Sequence, residues 1–151
     1  MRINLTDIDD RAFEALPAGR YVIKVTDYEM REVKNDGKVP KGTPMINWEF
    51  TVQSARDGDT QYANRKVWMN TVIHERSLFN LKGLLRASGA YTAEQLEGEL
   101  DFEPDEVLGA EVMGVVVQRE YPPGSGEMTN DLRRVLAIGD SDREEAGSLL
   151  P

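Results

Sequence analysis

One short run of the sequence places a cation beside an aromatic ring. Lys66, Trp68 and Asn70 occupy alternate positions, and the residues between them, Val67 and Met69, are apolar. If this run is a strand with its apolar side in the core, Trp68 points outward next to Lys66. An exposed ring beside a cation suits the binding of single-stranded nucleic acid, in which bases stack on rings and cations follow the phosphates. Alternatively, Trp68 belongs to the core or to a subunit interface, as in a homodimer.

Other cations and tyrosines lie near two long loops and complete this candidate surface. Tyr28 and Tyr121 stand at strand ends, where each either stacks on a base or closes the rim of the core, and Tyr62 is a weaker candidate of the same kind. The lysines of the first loop either follow phosphates or keep that loop soluble. One further cation, Arg134, could contribute. The predicted DNA-binding residues are Lys24, Tyr28, Lys34, Lys38, Lys41, Arg65, Lys66, Trp68, Arg119, Tyr121 and Arg133.

The sequence does not indicate a catalytic or metal site. It has no cysteine, which excludes a thiol nucleophile and cysteine-ligated metals. Its single histidine, His74, favours a surface or capping role, because no second histidine can join it. Asp7, Asp9 and Asp10 could hold a hard cation, but carboxylates in a polar lead-in are more often simply solvated. We therefore expect no enzyme, no cofactor and no bound metal.

The net charge of −9 conceals an uneven distribution. Residues 92–111 hold eight acidic and no basic residues, whereas residues 19–91 hold twelve basic and eight acidic ones. The acidic stretch is most simply a solvated surface, and the mildly basic first half leaves room for a polyanionic partner. The sequence shows neither an apolar run long enough to cross a membrane nor a leader of the signal-peptide type, so we expect a cytoplasmic protein.

Alternating hydrophobicity and turn residues predict five strands. In the second of them Trp48 alternates with apolar residues, which predicts a core position for this tryptophan. Gly114 inside the fourth strand predicts a bulge or a sharp bend. Long loops rich in glycine and proline are predicted over 33–45 and 122–131. The predicted strands are 20–28, 46–52, 65–72, 111–121 and 132–138.

One helix is predicted between the third and fourth strands. Ser77 suits its N-cap, leucines recur at helical spacing after that serine, and Gly89 suits the left-handed position at the helix end. A short acidic helical segment is predicted over 92–100, because Thr92 and Gln95 have the spacing of a capping box.

This order of elements is that of an OB-fold, a mainly β, five-stranded barrel with a helix between strands 3 and 4. Such barrels bind oligonucleotides on the face of strands 2 and 3 and through the loops joining strands 1–2 and 4–5. Other small β-barrels with one helix would fit the same order. Phe13 and Leu16 are expected to tuck onto the core. The predicted organisation is a polar lead-in over 1–15, an OB-fold domain over 16–138 and an acidic, disordered tail over 139–151.

Several short motifs are spread over residues 12–138: LPAGRYV at 16–22, NWEFTV at 47–52, NRKVW at 64–68, LKGLLRASG at 81–89 and LG at 108–109. Together they resemble a family of phage proteins long carried as a domain of unknown function. The resemblance implies an OB-fold single-stranded DNA-binding protein encoded near phage replication and recombination genes. The loop between strands 1 and 2 and the turn between strands 2 and 3 are longer here than is usual in that family.

The expected function is therefore non-catalytic coating of single-stranded DNA in phage replication or recombination. The acidic tail has an apolar tip at Leu149 and Leu150 and loosely resembles the tails with which bacterial single-stranded DNA-binding proteins recruit partners. Phage or host replication and recombination proteins are thus candidate partners, unless the tail is an inert terminus. The alternative is a β-barrel protein-interaction or virion-structural module without nucleic-acid binding, which the net charge favours.

Overall fold

A computed structural model describes residues 1–4 and 14–139 and arranges them around one antiparallel sheet of five strands. One α-helix and two short 3-10 turns, Gln95–Glu97 and Pro104–Val107, separate the third strand from the fourth. The predicted order of strands and helix is therefore confirmed. The elements are β1 (Gly19–Glu32), β2 (Pro44–Ala55), β3 (Lys66–Val72), α1 (Leu78–Ser88), β4 (Glu111–Glu120) and β5 (Met128–Leu136).

The core joins the inner face of the sheet to α1. Ile23 of β1, Trp48 and Phe50 of β2 and Leu84 of α1 are all fully buried. The predicted core position of Trp48 is thus confirmed. Its Nε1 donates a hydrogen bond of 2.8 Å to Oγ1 of Thr71 on β3, so the buried indole N–H has an acceptor.

The sheet is open rather than closed. Its order is β3-β2-β1-β4-β5, which makes β3 and β5 the edge strands. Their Cα atoms approach within 8 Å, but no ladder of backbone hydrogen bonds joins them in the part of the chain that the structure describes. The prediction of a closed barrel is wrong in this respect.

The segment that precedes β1 explains why the edges do not pair. Leu16 is fully buried, which confirms its expected place in the core. Its N–H donates to Oδ1 of Asn130 over 2.8 Å, and its carbonyl accepts hydrogen bonds from the side-chain amides of Asn130 and Gln118. On the other side, Nη2 of Arg65 donates to the carbonyl of Glu14 over 2.5 Å. This Leu16 seam, formed by residues 14–16 and these partners, bridges the two edges.

Three strands, β1, β2 and β5, extend beyond their predicted ends. β1 continues to Glu32 because that residue still pairs with Pro44 of β2. β5 begins at Met128 because that residue pairs with Glu120 of β4. Local propensity marks the middle of a strand, whereas cross-strand pairing decides where the strand stops.

The predicted ends of α1 are confirmed in position. Ser77 directly precedes the helix, although its side chain makes no capping hydrogen bond. Gly89 follows the helix with φ 74°, the left-handed conformation that favours glycine. The helix therefore stops where a residue with a Cβ atom would be strained.

The acidic helix predicted after α1 is wrong in extent. The capping box itself is confirmed, because Thr92 N–H donates to Oε1 of Gln95 over 2.7 Å and Gln95 N–H donates to Oγ1 of Thr92 over 3.1 Å. Only a three-residue 3-10 turn follows, since Gly98 is extended at φ −136° and ψ −157°. The remaining residues up to Glu103 are irregular.

Gly114 lies at a close approach of β4 to its neighbours. A Cβ atom at this position would lie 2.6 Å from Cδ1 of Ile23 and 2.8 Å from Cδ1 of Leu132. The predicted bulge occurs in the next step of the ladder, between Val115 and Val116. The glycine thus allows β1 and β5 to pack tightly over a bent strand.

Some sequence predictions lie outside the described residues. These are the position of Phe13, the carboxylate cluster of Asp7, Asp9 and Asp10, and the acidic tail from residue 140 onward. Within residues 1–4 and 14–139, none of the helices combines the length and apolar character that a membrane crossing requires.

Candidate nucleic-acid interface

The outer face of β3 carries the predicted aromatic platform. Trp68 is 52% exposed, and Lys66 and Asn70 are exposed on the same face. Val67 is buried in the core, and the partly buried Met69 packs against the core. The alternation predicted for this strand is confirmed, and Trp68 is not a core residue.

The cation beside Trp68 is already paired with a carboxylate. Nζ of Lys66 lies 3.2 Å from Oε1 of Glu49 on β2, the cross-strand neighbour of Trp68. Oε2 of Glu49 accepts a hydrogen bond of 2.8 Å from Thr26. The hydrogen bond from Thr26, and after it the contact with Lys66, hold the pKa of Glu49 below its usual value. A phosphate at this site must therefore compete with Glu49 for Lys66.

A cleft of about 190 Å³ opens between the edges of the sheet, next to Trp68. Lys66 and Trp68 line its β3 side, whereas Met128 and Thr129 line its β5 side. Met128 is 44% exposed. The exposed apolar side chains of Trp68 and Met128 therefore stand on opposite sides of the polar cleft. Met128 was not predicted from the sequence, because the sequence does not reveal which residues face each other across an unpaired sheet edge. The glycine- and proline-rich loop before it was the only signal in this region.

A second cation and ring lie at the end of β4 and directly after it, beside the cleft. Arg119 pairs across the strands with Thr129, which lines the cleft. Its guanidinium donates to both carboxylate oxygens of Asp131, over 2.6 and 3.2 Å, and this partner raises the pKa of Arg119 further. Its Cζ also lies 5.3 Å from the ring centre of Tyr121, which is 59% exposed. The structure thus holds Tyr121 against a cation, the arrangement of a cation–π pair.

The loop lysines form a separate basic surface. Lys34, Lys38 and Lys41 are exposed and form no ion pair with another described residue. They lie on residues 33–43, which Val33 N–H closes by donating to the carbonyl of Thr43 over 2.9 Å. Five residues of β2 separate the end of this loop from Glu49, the pairing position of Trp68, a distance of about 20 Å along the strand. The structure therefore does not bring these lysines to Trp68 directly.

Tyr28 is engaged in packing. Its ring centre lies 5.7 Å from that of Trp48, and its hydroxyl donates to Oδ1 of Asp105 over 2.7 Å. That hydrogen bond, with smaller effects of burial and neighbouring carboxylates, raises the pKa of Tyr28. Tyr62 also packs against the core. Both rings therefore lie at the rim of the core.

The remaining predicted cations are dispersed. Lys24 is half-buried on β1 and pairs across the strands with Glu111 of β4 and Thr51 of β2. Arg65 is the exception, because it belongs to the Leu16 seam and also lines the cleft beside Lys66. Arg133 is exposed at the irregular step of β5. Of the predicted set, the structure brings together Arg65, Lys66 and Trp68 at the cleft. Arg119, near the end of β4, and Tyr121, directly after it, lie beside Thr129 of the cleft wall.

These features define a small antiparallel β-sheet protein with a helix between its third and fourth strands and a polar cleft between its edge strands. A family model described as "Protein of unknown function (DUF669)" matches residues 3–122, and the chain belongs to that family. The match includes β1 to β4 and ends before β5. No curated protein matches the chain.

Proposed function

We propose that this protein binds single-stranded DNA, without sequence preference, at the surface around Trp68. This Trp68 surface comprises the side chains of Lys66, Trp68, Met128, Arg119 and Tyr121. The observation that carries the proposal is an indole that is 52% exposed beside a lysine at the mouth of a cleft. A large ring held in water on a rigid strand offers a face on which a base can stack.

The strand order supports the same proposal. An OB-fold opened between its third and fifth strands has the order β3-β2-β1-β4-β5, with the helix between the third and fourth strands. In that fold, oligonucleotides bind on the face of strands 2 and 3, where Trp68 and Glu49 lie. A role in phage DNA replication or recombination belongs to this proposal and follows from the resemblance alone.

The charge distribution supports binding of modest strength. Lys66 and Arg119 each have a carboxylate partner that phosphate must displace or share. The loop lysines, which are exposed and have no ion pair among the described residues, supply positive charge for a strand that extends along β2. The eight carboxylates of residues 92–111 belong to the connection between α1 and β4 and to the start of β4, and none of them lines the cleft.

The two tryptophans make the proposal directly testable. Trp48 is fully buried and Trp68 is exposed, so oligo-dT stacking should quench only the emission of Trp68. We expect Trp68→Ala to weaken binding by about 1–3 kcal/mol, the usual value of one stacked base. Phe79→Ala is the matched control, because Phe79 is an aromatic residue 71% exposed on α1.

Fluorescence anisotropy of labelled oligo-dT at low and high salt measures both variants, with circular dichroism to verify folding. Binding should weaken as salt rises, because phosphate contacts release counterions. Equal losses for the two variants, or unchanged affinity of a folded Trp68→Ala protein, would remove Trp68 from the site. Absence of binding by the native protein at low salt would instead favour the protein-interaction module.

A further inference from the structure

An apolar groove lies between α1 and residues 96–102, which include part of the first 3-10 turn and the irregular chain after it. Leu78, Leu81 and Leu85 of α1 form one wall, and Leu96, Leu100 and Phe102 are among the residues of the other. The groove measures about 320 Å³. Because an apolar cavity of about 150 Å³ accommodates one benzene, this groove has room for about two side chains of that size. Leu78 is 41% exposed, so the groove is open to solvent.

The second wall alternates strictly between apolar and acidic residues. Leu96, Gly98, Leu100 and Phe102 line the groove. The residues between and after them are exposed carboxylates, namely Glu97, Glu99, Asp101 and Glu103. One lysine, Lys82, lines the α1 side, and its Nζ lies 3.3 Å from Oε1 of Glu97. The apolar floor is therefore bordered by an acidic rim whose charge is only partly balanced.

We propose that this acidic groove docks a basic, leucine-bearing segment of another protein. Apolar side chains of the partner would enter the groove, and its lysines or arginines would meet Glu99, Asp101 and Glu103. Burial of apolar surface supplies the affinity, and complementary charge selects the partner and speeds the encounter.

Other occupants are disfavoured by the same charges. Nucleic acid would be repelled by the acidic rim. The chain's own tail, residues 140–151, carries four acidic residues and one arginine, so it would place like charges together. A two-fold dimer through this groove would bring one acidic rim against another, because such an interface uses the same patch twice.

The acidic groove is separate from the Trp68 surface. The two share no lining residue, and the groove involves α1 and the segment after it rather than the outer face of β3. A partner can therefore dock while DNA is bound, and neither ligand needs to displace the other. Docking at the groove goes beyond DNA binding and does not depend on it.

The test uses two labelled peptides, one of leucine and lysine in amphipathic order and one with glutamate in place of lysine. We expect saturable, salt-sensitive binding of the lysine peptide alone, with amide shift changes in NMR spectra confined to α1 and residues 96–103. The variant Glu99→Lys with Asp101→Lys should weaken this binding about tenfold. The matched control, Glu32→Lys with Glu127→Lys, changes the net charge equally at exposed positions outside the groove and should weaken it less than about threefold.

Three results would overturn the proposal. Equal weakening by both double variants would mean that the net charge of the protein, and not the position of the carboxylates, determines peptide binding. Equal binding of the two peptides would remove the role of the acidic rim, and shift changes outside the groove would place the contact elsewhere. A competition with oligo-dT separates this inference from the DNA-binding proposal, because the peptide should bind whether or not DNA does.

Discussion

Replacement of Glu49 by glutamine is expected to tighten the binding of oligo-dT. Glu49 holds Lys66 at 3.2 Å and lies directly across from Trp68. Its carboxylate therefore competes with a phosphate for the lysine and also repels the phosphate. Glutamine keeps the size of the side chain and can still accept the hydrogen bond from Thr26, so the local packing should persist.

The size of the effect follows from the exposure of the ion pair. The side chains of Lys66 and Glu49 are 52% and 21% exposed. Pairs near the surface contribute about 0.2–1 kcal/mol, and release of such a pair corresponds to about 1.4- to 5-fold tighter binding. One additional cation free to meet phosphate should also steepen the dependence of log K on log salt by about 0.7.

Anisotropy titrations with labelled oligo-dT at several salt concentrations measure both quantities. The control is Glu97→Gln, which releases Lys82 from an ion pair of 3.3 Å on the acidic groove and changes the net charge equally. Weaker binding by Glu49→Gln, or equally tighter binding by Glu97→Gln, would refute competition between Glu49 and phosphate for Lys66. In the first case Glu49 would be orienting Lys66 for phosphate rather than competing with it.

Two further predictions concern stability. The lowered pKa of Glu49 means that its contribution to folding is present above the ordinary glutamate pKa of 4.5 and is lost as the pH falls through the lower folded pKa. Urea unfolding of the native protein and Glu49→Gln should therefore differ at neutral pH and converge in acid, and a constant difference would contradict the assignment. Thr71→Val should cost about 1–3 kcal/mol, because it leaves the buried indole N–H of Trp48 without its acceptor. An unchanged urea midpoint for this variant would mean that the indole finds another partner.

The sequence was most informative about features that depend on a single strand or helix. Period-two alternation placed Trp68 outward and Trp48 inward, and left-handed preference placed Gly89 at the end of α1. Each of these features depends on residues that are neighbours in the chain. They could be predicted because no distant contact overrides them.

The register between strands could not be predicted in the same way. Regular alternation from Ile23 and Val25 would place Asp27 inward and Tyr28 outward. A shift in the β1–β2 register between Val25 and Asp27 instead sets Tyr28 opposite Trp48, where it packs. A slip of one residue exchanges the two faces of a strand, and the sequence of one strand does not reveal it.

The partners of the cations depend on the same register. The pairing of Lys66 with Glu49 and of Arg119 with Asp131 joins residues on different strands. A list of basic residues therefore overstates the positive charge that a ligand would meet. The open edge and the position of Met128 in the cleft likewise depend on contacts between segments that are far apart in the sequence. The alternation within one strand carries no information about such contacts.

The Leu16 seam has a consequence for how the domain can be shortened. A fragment starting at Gly19 would keep all five strands and α1. It would lack the fully buried leucine, the hydrogen bonds from Leu16 to Asn130 and Gln118, and the bond from Arg65 to Glu14 on the other side of the open edge. Loss of a buried leucine alone commonly costs about 2–5 kcal/mol, a large share of the stability of a small domain. The minimal folding unit therefore begins before its first strand, and truncations designed from secondary structure alone would start too late.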